Sequence, residues 1–337
     1  MHDSSTTHAL RRLIIGYRVS QALAVAARLG IADLLSDGPR SIDELAAATG
    51  THALSLYRLL RVLASEGVFS ERGDGRFALT PLAEPLQADT PDSLHARAMF
   101  DAAQGNWHAW GKLMQSTKTG EPAIQHAYGK DLFGYLKDHP DEGKIFNEVM
   151  AAQTVTEARA VLTAYDFVGI DTLVDIGGGV GTLLAAILNA HPSMRGVLYD
   201  QSHVVVDARE RFTAAGVVDR CRAVGGDFFE SVPAGGNAYI LKHILHDWDD
   251  DDCQRILGNC RRAIAKDGRL LVIEVLIPPG NDPDYGKFLD LQMLVVTKGG
   301  RERTQAEYRS LFESTGFTLA RMIETQSDIC VIEGVPV

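Results

Sequence analysis

The sequence predicts an α/β fold in which a mostly parallel β-sheet occupies the second half of the chain and a mainly helical region precedes it. Three observations support this prediction. An apolar segment, a glycine-rich turn and an apolar helix follow one another over residues 172–188. Strand-like patterns then alternate with helical patterns, which is typical of βαβ units. The chain has 337 residues, 45% of them hydrophobic, which is enough for two domains.

The first elements predict a helix-turn-helix with a wing. Residues 10–29 form an apolar pattern with arginines on its other face, and Gly30 ends it, as at the end of a helix. The segment Ser41-Ile-Asp-Glu44 has the spacing of a capping box, and the helix that follows it leads into a second helix that runs to about Ser65. A small hairpin over residues 68–79 completes a winged-helix pattern.

A winged helix raises the hypothesis of a DNA-binding regulator, and the charges argue against it. The chain has a formal net charge of −11, and acidic residues outnumber basic ones between residues 41 and 80. A DNA-reading module needs a positive face, because neutralising phosphates supplies most of its affinity. We therefore predict no nucleic-acid partner and a homodimer formed through this domain. The apolar surface for that contact comes from Leu23, Leu29, Leu34 and Leu35.

Composition favours a cytoplasmic protein. The four cysteines show no C-x-x-C pair, which is typical of reduced intracellular thiols. Arginines interrupt the early apolar region, so we expect no signal peptide. The sequence contains no run of about 18 uncharged apolar residues, so we expect no membrane-spanning helix.

The middle of the chain reads as helical and carries aromatic clusters. We predict a dimerisation domain over residues 1–90, a helical linker region over 91–165 that contributes to a pocket for a substrate, and a catalytic domain over 166–337. Most of the aromatics fit core packing between helices, but a planar aromatic substrate needs such side chains. The residues that we predict near the substrate are Trp107, His108, Phe146, Met150 and Met293.

The turn after the first strand predicts a ligand site at a helix N-terminus. Gly177, Gly179 and Gly181 let the backbone turn sharply and approach a ligand closely. A dinucleotide fingerprint requires a third glycine where Thr182 stands, so a nicotinamide cofactor is disfavoured.

The next two strands end in acidic residues that suit a nucleoside. Asp200 closes the segment 195–200, about 20 residues past the turn, where a carboxylate accepts ribose hydroxyls. Asp227 and Phe228 close the segment 222–229 and suit an adenine amino group and ring face.

The remaining elements continue the alternation. Strands are predicted over 238–242 and 269–275, and a helix over 249–266, where an acid run lies at the positive N-terminal end. The tail predicts two strands, 317–323 and 329–333, that form a hairpin at the sheet edge.

Chemistry is expected at the carboxyl ends of the strands, where ligands bind in open α/β sheets. His246 and Asp247 follow the fourth strand, and Glu274 ends the fifth. Histidine is the commonest general base, and carboxylates such as Glu274 and Glu302 fix its tautomer and stabilise its protonated form. His243 lies nearer the strand and remains an alternative to His246 as the histidine that acts at this site.

A metal site built on the two histidines is the other alternative at this position. The sequence shows no third ligand for it, so we predict that the protein holds no metal.

The whole chain resembles the O-methyltransferases of the plant caffeate and flavonoid type and their bacterial relatives that methylate polyketides, anthracyclines, phenazines and aromatic acids. The motifs that carry the resemblance are Asp175-x-Gly-Gly-Gly-x-Gly181, Tyr199-Asp200, Gly226-Asp-Phe-Phe229, Lys242-x-x-x-His-Asp-Trp248, Glu274 and Gly300-Arg-Glu-Arg-Thr304.

The resemblance implies a class I S-adenosylmethionine-dependent enzyme that releases S-adenosylhomocysteine. It implies a Rossmann-like methyltransferase domain, with a mostly parallel seven-stranded sheet and an antiparallel last hairpin, behind a winged-helix dimerisation domain. His246 is then the base, with Asp247 beside it and Glu274 and Glu302 bracketing it. The cofactor residues implied by the same motifs are Asp175, Gly177, Gly179, Asp200, Gly226, Asp227, Phe228 and Lys242.

The acceptor implied by this resemblance is a hydroxylated aromatic small molecule, such as a bacterial phenazine or polyketide of an antibiotic pathway. N-methylation, a non-methylating hydroxylation or decarboxylation on the same scaffold, and a cofactor-sensing DNA-binding regulator are the alternatives.

Proton transfer is the difficult step. A phenol of pKa about 10 facing an imidazole of pKa about 6.5 makes the transfer uphill by about 3.5 units, or roughly 5 kcal/mol in water.

Overall fold

The computed structural model describes residues 4–206 and 208–337. These described residues divide into two compact units, each built from two chain segments. The first unit contains the described residues up to His108 together with Phe133–Gln153. The second contains Ala109–Leu132 and Thr154–Val337. The domain boundaries expected near residues 90 and 165 stay a prediction.

The chain is helical before the large sheet, as predicted. The predicted helix over residues 10–29 divides into two at Gly16, whose N–H donates to the Leu13 carbonyl three residues back, at 3.2 Å, and not to a carbonyl four residues back. The helices of this part are α1 (Ser4–Ile15), α2 (Tyr17–Arg28), α3 (Ile31–Leu34), α4 (Ile42–Thr49), α5 (Ala53–Ser65), α6 (His95–Asp101), α7 (Gln104–Trp110), α8 (Leu113–Thr119), α9 (Ala123–Tyr128), α10 (Leu132–Asp138) and α11 (Pro140–Ala164).

The winged-helix part follows from local signals. The Ser41 hydroxyl accepts the Glu44 N–H at 3.3 Å, and Glu44 Oε2 accepts the Ser41 N–H at 2.7 Å, so the predicted capping box starts α4. Three short antiparallel strands among the described residues form the wing in the order β1, β3, β2. These strands are β1 (Arg40–Ser41), β2 (Phe69–Glu71) and β3 (Arg76–Leu79).

The second unit is built on a sheet that, within the described residues, has seven strands in the order β6, β5, β4, β7, β8, β10, β9. β10 runs antiparallel to both of its neighbours, and the other pairs are parallel. The strands are β4 (Thr172–Ile176), β5 (Arg195–Asp200), β6 (Cys221–Gly225), β7 (Ala238–Lys242), β8 (Arg269–Val275), β9 (Phe317–Glu324) and β10 (Ile329–Pro336).

Helices cover both faces of this sheet, so the central strands are apolar on both sides. Ile240 and Leu241, adjacent on β7, are both fully buried and belong to separate hydrophobic clusters on opposite faces. The covering helices after β4 are α12 (Thr182–Ala190), α13 (Ala208–Ala214), α14 (Asp250–Ala263), α15 (Tyr285–Val296) and α16 (Gln305–Ser314).

The strand order positions the site. The chain passes from β4 to β5 on one side and later returns to β7 on the other, so the order reverses at β4. Such a reversal opens a crevice at the carboxyl ends of the strands. Within the described residues, no helix is both long and apolar enough to cross a bilayer.

Candidate active site

The glycine-rich turn follows β4 and requires its glycines. Gly177, Gly179 and Gly181 have φ values of 68°, 59° and 81°, in the left-handed region that side chains disfavour. A Cβ atom at Gly177 would lie 2.4 Å from Ile244 Cδ1. The turn therefore leaves a narrow space over its backbone, as a bound cofactor needs, and helix α12 begins directly after it.

Two carboxylates flank this turn. Asp200 Oδ2 accepts the Gly179 N–H at 2.8 Å, so the end of β5 is tied to the turn. Asp175 is buried beneath it, and its Oδ2 atom has no hydrogen-bond partner among the residues that the structure describes. Burial, opposed by Lys242, raises the pKa of Asp175 to about 7. An unsatisfied buried acid beside a glycine cradle fits the predicted cofactor.

The residues predicted to contact the adenine lie at the end of β6. A Cβ atom at Gly226 would lie 2.2 Å from the Tyr199 hydroxyl, so this position also requires glycine. Asp227 Oδ1 accepts the Phe229 N–H at 2.8 Å, and the Phe228 carbonyl accepts a hydrogen bond from the Asn259 amide at 2.7 Å. These bonds fix the segment's conformation, and Phe228 lies beside the glycine turn, since a Cβ atom at Gly177 would be 3.7 Å from its Cε1.

The segment after β7 is held by Glu274. Glu274 Oε1 accepts the backbone N–H groups of Ile244 at 3.0 Å and Leu245 at 2.9 Å. The 3₁₀ helix Leu245–Asp247 then presents His246. A carboxylate at the end of the neighbouring strand thus determines where the imidazole lies.

His246 lies between two buried carboxylates. Its Nδ1 is 2.7 Å from Glu302 Oε1 and 3.4 Å from Glu274 Oε2, while its Nε2 is 3.7 Å from Asp247 Oδ1. Burial by itself lowers the pKa of an imidazole, but the acids, Glu274 foremost, outweigh it and raise the pKa of His246 to about 10. Glu274 and Glu302 are almost fully buried, so water screens this attraction little.

The two glutamates differ in their own pKa values. Burial raises the pKa of the Glu302 carboxyl even though it bonds to His246. Burial acts on Glu274 in the same direction, but the neighbouring imidazoles and backbone N–H groups lower its pKa. The site therefore favours the ionised form of Glu274 more than that of Glu302, and the ordinary imidazole pKa of about 6.5 expected from the sequence does not hold for His246.

Arg303 fixes the same turn from the opposite side. Its guanidinium is fully buried and donates to the carbonyls of Leu245 at 2.8 Å and Trp248 at 2.9 Å, which bracket His246 in the chain. It also donates to Asp250 Oδ1 at 2.8 Å. Because Arg303 follows Glu302 directly, one short segment holds both the imidazole and the turn that carries it.

Replacing Arg303 with methionine is expected to lower the free energy of unfolding by about 1–3 kcal/mol, because the carbonyls of Leu245 and Trp248 each lose a charged donor. Urea denaturation followed by circular dichroism measures this change. Arg301→Gln is the matched control, since Arg301 also binds Asp250 but its side chain is 37% exposed, and we expect a change within about 0.5 kcal/mol. Equal losses in the two variants would contradict the interpretation.

Lys242, a predicted cofactor residue, ends β7. Its Nζ lies 2.8 Å from Glu157 Oε2 and 3.4 Å from the Thr154 hydroxyl, both on α11. Glu157 is buried. Nothing in the local sequence around Glu157 marks it as part of the site, whereas Arg303 lies inside the motif Gly300-Arg-Glu-Arg-Thr304.

The predicted substrate residues fall into different units. Phe146 of the first unit packs on Phe100, with ring centroids 5.3 Å apart. Trp107 packs on Tyr17 at 6.0 Å and is 38% exposed. His108 and Met150 also belong to the first unit, whereas Met293 belongs to the second and is buried. A substrate role for these five residues remains a prediction.

A cavity of about 450 Å³ lies in the second unit beside Glu302. Glu302 is held there by its backbone N–H, which donates to Asp290 Oδ1 at 3.0 Å. Cavities of this size accommodate small organic ligands. Its lining consists of Gly120, Ile277, Asp290, Leu291, Leu294, Thr297, Gly299, Gly300, Arg301, Glu302 and Glu307.

The possible metal site gains a third ligand in the structure. His243, His246 and Glu274 offer ligand atoms within 4.8 Å of one another. The two imidazoles, however, are stacked with centroids 5.0 Å apart and planes inclined by 26°. Their Nδ1 atoms lie 3.4 Å and 3.5 Å from the same oxygen, Glu274 Oε2, so protons on these nitrogens account for the contacts without an ion.

Comparison with known proteins identifies the family. Residues 110–318 match the family model of the O-methyltransferase domain, and residues 11–89 match that of the O-methyltransferase dimerisation domain. The chain belongs to the O-methyltransferase family. It is an S-adenosylmethionine-dependent enzyme, which confirms the predicted fold class, activity and cofactor. The matched dimerisation domain supports the predicted homodimer.

Relatives match this methyltransferase over nearly its whole length. Phenazine O-methyltransferase PhzM of Lysobacter antibioticus is 48% identical over 97% of this chain and 96% of its own. The mitomycin biosynthesis 6-O-methyltransferase of Streptomyces lavendulae is 43% identical over 90% of this chain and 87% of its own. The crystal structure of CalO1, a methyltransferase in calicheamicin biosynthesis in its S-adenosylhomocysteine-bound form, is 38% identical, covers 100% of both chains and has a TM-score of 0.91.

Proposed function

We propose that this methyltransferase moves a methyl group from S-adenosylmethionine to a hydroxyl of an aromatic bacterial secondary metabolite, with His246 as the general base. The observation that carries the proposal is the enclosure of His246 Nδ1 by two buried carboxylates. This arrangement leaves Nε2 to meet the acceptor hydroxyl, and it stabilises the imidazolium that proton transfer produces.

The cofactor residues take the roles that their positions allow. Gly177 and Gly179 give it space over the turn, Asp200 accepts ribose hydroxyls, and Asp227 and Phe228 meet the adenine. When bound, S-adenosylmethionine supplies an electrophilic methyl group on a cationic sulfonium. A water-poor site favours the reaction, since charge disperses when a phenolate attacks that cation.

Proton transfer to His246 is nearly balanced in this environment. A phenol has a pKa of about 10, and the pKa of His246 is raised to about 10 by Glu274, Glu302 and Asp247. The penalty of about 3.5 units for an ordinary imidazole is therefore removed. In exchange, His246 carries a proton at neutral pH and must lose it before it acts as a base.

Turnover is therefore expected to rise with pH across the neutral and mildly alkaline range. Below the pKa of His246, the imidazole holds its proton, so the active fraction grows about tenfold per pH unit until His246 or the acceptor hydroxyl titrates. The measurement is kcat/KM from S-adenosylhomocysteine release, with a buffer series and a stability check at each pH. A profile that is flat from pH 6 to 9 would contradict a protonated resting base.

The acceptor class is tested by mass spectrometry of the protein incubated with S-adenosylmethionine and a panel of phenazines, naphthoates, anthraquinones and flavonoids. Support for this class comes from relatives named for phenazine, mitomycin and 3-amino-4-hydroxybenzoate methylation. We expect a gain of one methyl group, with equimolar S-adenosylhomocysteine, on a hydroxylated aromatic. Cofactor binding without transfer to any member of the panel would count against this acceptor class.

N-methylation is the second candidate, because one relative is named for it. The 8-amino-8-demethylriboflavin N,N-dimethyltransferase of Streptomyces davaonensis is 35% identical over 94% of this chain and 92% of its own. An aryl amine has a free lone pair and needs no base before attack. An imidazole held by two carboxylates therefore favours a hydroxyl acceptor over an amine. Matched hydroxy and amino acceptors on one ring system separate the two reactions.

We also infer a homodimer through residues 11–89 and a cytoplasmic location. The dimerisation domain supports the first inference. Cys221, Cys253, Cys260 and Cys330 are free and buried, which supports the second. The formal net charge of −11 at pH 7 supports the inference that the protein binds no nucleic acid.

A further inference from the structure

His243 has an unusual backbone. It follows the last residue of β7, and its φ of 53° makes it the one non-glycine residue with positive φ in residues 4–206 and 208–337. Residues other than glycine rarely adopt this region, although asparagine, aspartate and histidine do so more often than the rest, and residues held there concentrate at functional sites. The conformation aims the His243 ring into the site described above.

The His243 ring connects two acids. Its Nε2 lies 2.7 Å from Glu157 Oε1, and its Nδ1 lies 3.5 Å from Glu274 Oε2. It also stacks on the His246 ring, with centroids 5.0 Å apart. His243 therefore lies between a carboxylate outside the proposed catalytic set and the carboxylate that supports the base.

Glu274 Oε2 is shared between the two imidazoles. It lies 3.4 Å from His246 Nδ1 and 3.5 Å from His243 Nδ1, while Oε1 is fully engaged by two backbone N–H groups. Any change in the charge of one ring therefore acts on the other, both directly and through this oxygen.

Glu157 stabilises the cationic form of His243. Burial would raise the pKa of this carboxyl, but His243 and Lys242 lower it to about 2. Each of its oxygens faces one of these cations, at 2.7 Å and 2.8 Å. In turn, Glu157 and Glu274 outweigh burial and raise the pKa of His243.

We propose that His243, anchored by Glu157, is a positioning residue that shares Glu274 with His246 and sets the pH range over which His246 accepts a proton. The inference rests on the proposed role of His246 as the base. A cationic His243 repels a protonated His246, whose ring centroid lies 5.0 Å away, and the two rings compete for Glu274 Oε2. His243 thus keeps the basicity of His246 from rising further.

The charged groups around the pair come from several elements. Glu157 from α11 and Glu274 from β8 face His243, Lys242 precedes it in the chain, and Asp247 lies close enough to interact with it electrostatically. His246 is faced by Glu274, Glu302 and Asp247. Removing the His243 cation removes a repulsion and leaves every acid around His246 in place, so the pKa of His246 must rise.

The test is NMR titration of ¹³C-labelled histidine side chains in the full protein, with the His246 signal assigned by its loss in His246→Ala. In His243→Asn, whose asparagine tolerates the positive φ, we expect the His246 deprotonation to begin about one pH unit higher than in the native protein. Glu157→Gln should move it in the same direction by less, because the anion is lost together with the charge on His243.

The double variant tests whether Glu157 acts on His246 through His243 or independently of it. With asparagine already at position 243, Glu157→Gln should cause no further upward shift. Glu333→Gln is the matched control, since Glu333 is also buried and hydrogen-bonded, to Tyr165 and Arg321, and it should leave His246 unchanged.

Two outcomes would overturn the proposal. One is an unchanged or lowered His246 pKa in His243→Asn. The other is a loss of Tm and kcat in both variants without a displaced pH profile, as a merely structural role predicts. The titration does not depend on turnover, so full activity of His246→Ala would reject the proposed function while an upward shift still supported the pairing of the two imidazoles.

Discussion

Replacing His246 with alanine is expected to lower turnover by about 10²–10⁴-fold and to leave the affinity for S-adenosylmethionine nearly unchanged. The imidazole lies between Glu274 and Glu302, at 3.4 and 2.7 Å, so its loss removes the proposed proton acceptor and leaves two buried acids without a basic partner. Turnover is measured by S-adenosylhomocysteine release and affinity by isothermal titration calorimetry.

The control for this variant is His191→Ala. His191 follows α12 in the same unit and packs against Phe167, and it has no place in the proposed chemistry. We expect turnover within about threefold of the native enzyme, as for surface substitutions away from the site. Native turnover in His246→Ala would remove His246 from the mechanism, whereas equal losses in both variants would point to folding as the cause.

Replacing Asp200 with alanine is expected to weaken S-adenosylmethionine binding by about 10²–10³-fold, because the two charge-assisted hydrogen bonds that we propose to the ribose hydroxyls are lost. The same change releases the Gly179 N–H, which Asp200 Oδ2 accepts at 2.8 Å, so the glycine turn also loses a fixed point. Calorimetric titration with the cofactor measures the effect. At saturating cofactor, kcat should recover most of its native value.

Asp219→Ala is the control for cofactor binding. Asp219 is exposed just before β6, at the amino end of that strand, whereas Asp200 lies at the carboxyl end of β5. We expect its cofactor affinity to match that of the native enzyme. Should Asp200→Ala bind the cofactor as tightly as Asp219→Ala does, Asp200 would not be the ribose ligand.

The two variants divide binding from chemistry. His246→Ala is expected to change kcat at constant affinity, and Asp200→Ala to change affinity at nearly constant kcat. A protein that only senses the cofactor would show the second effect and would be indifferent to the first. The pair therefore also tests the regulatory alternative raised by the winged-helix pattern.

Local sequence signals account for much of the fold. The capping box at Ser41 and Glu44 started a helix where predicted, and Asp249 caps α14 at the head of its acid run. The apolar strands, the glycine turn at 177–181 and the final antiparallel hairpin were all visible in the sequence. These features depend on neighbours within a few residues, so the chain encodes them directly.

The sequence by itself determined the family, the cofactor and the set of acids near His246, because motif spacing reflects the carboxyl ends of successive strands. Only the tertiary structure decided how those groups act on one another. Glu157 meets His243 from 86 residues away, and Glu302 meets His246 from 56 residues away. Packing brings such groups together and excludes the water that would screen them, so the pKa of His246 moves to about 10. The sequence specifies which side chains are charged, but their effect on one another's pKa depends on distance and burial, which exist only once the chain has folded.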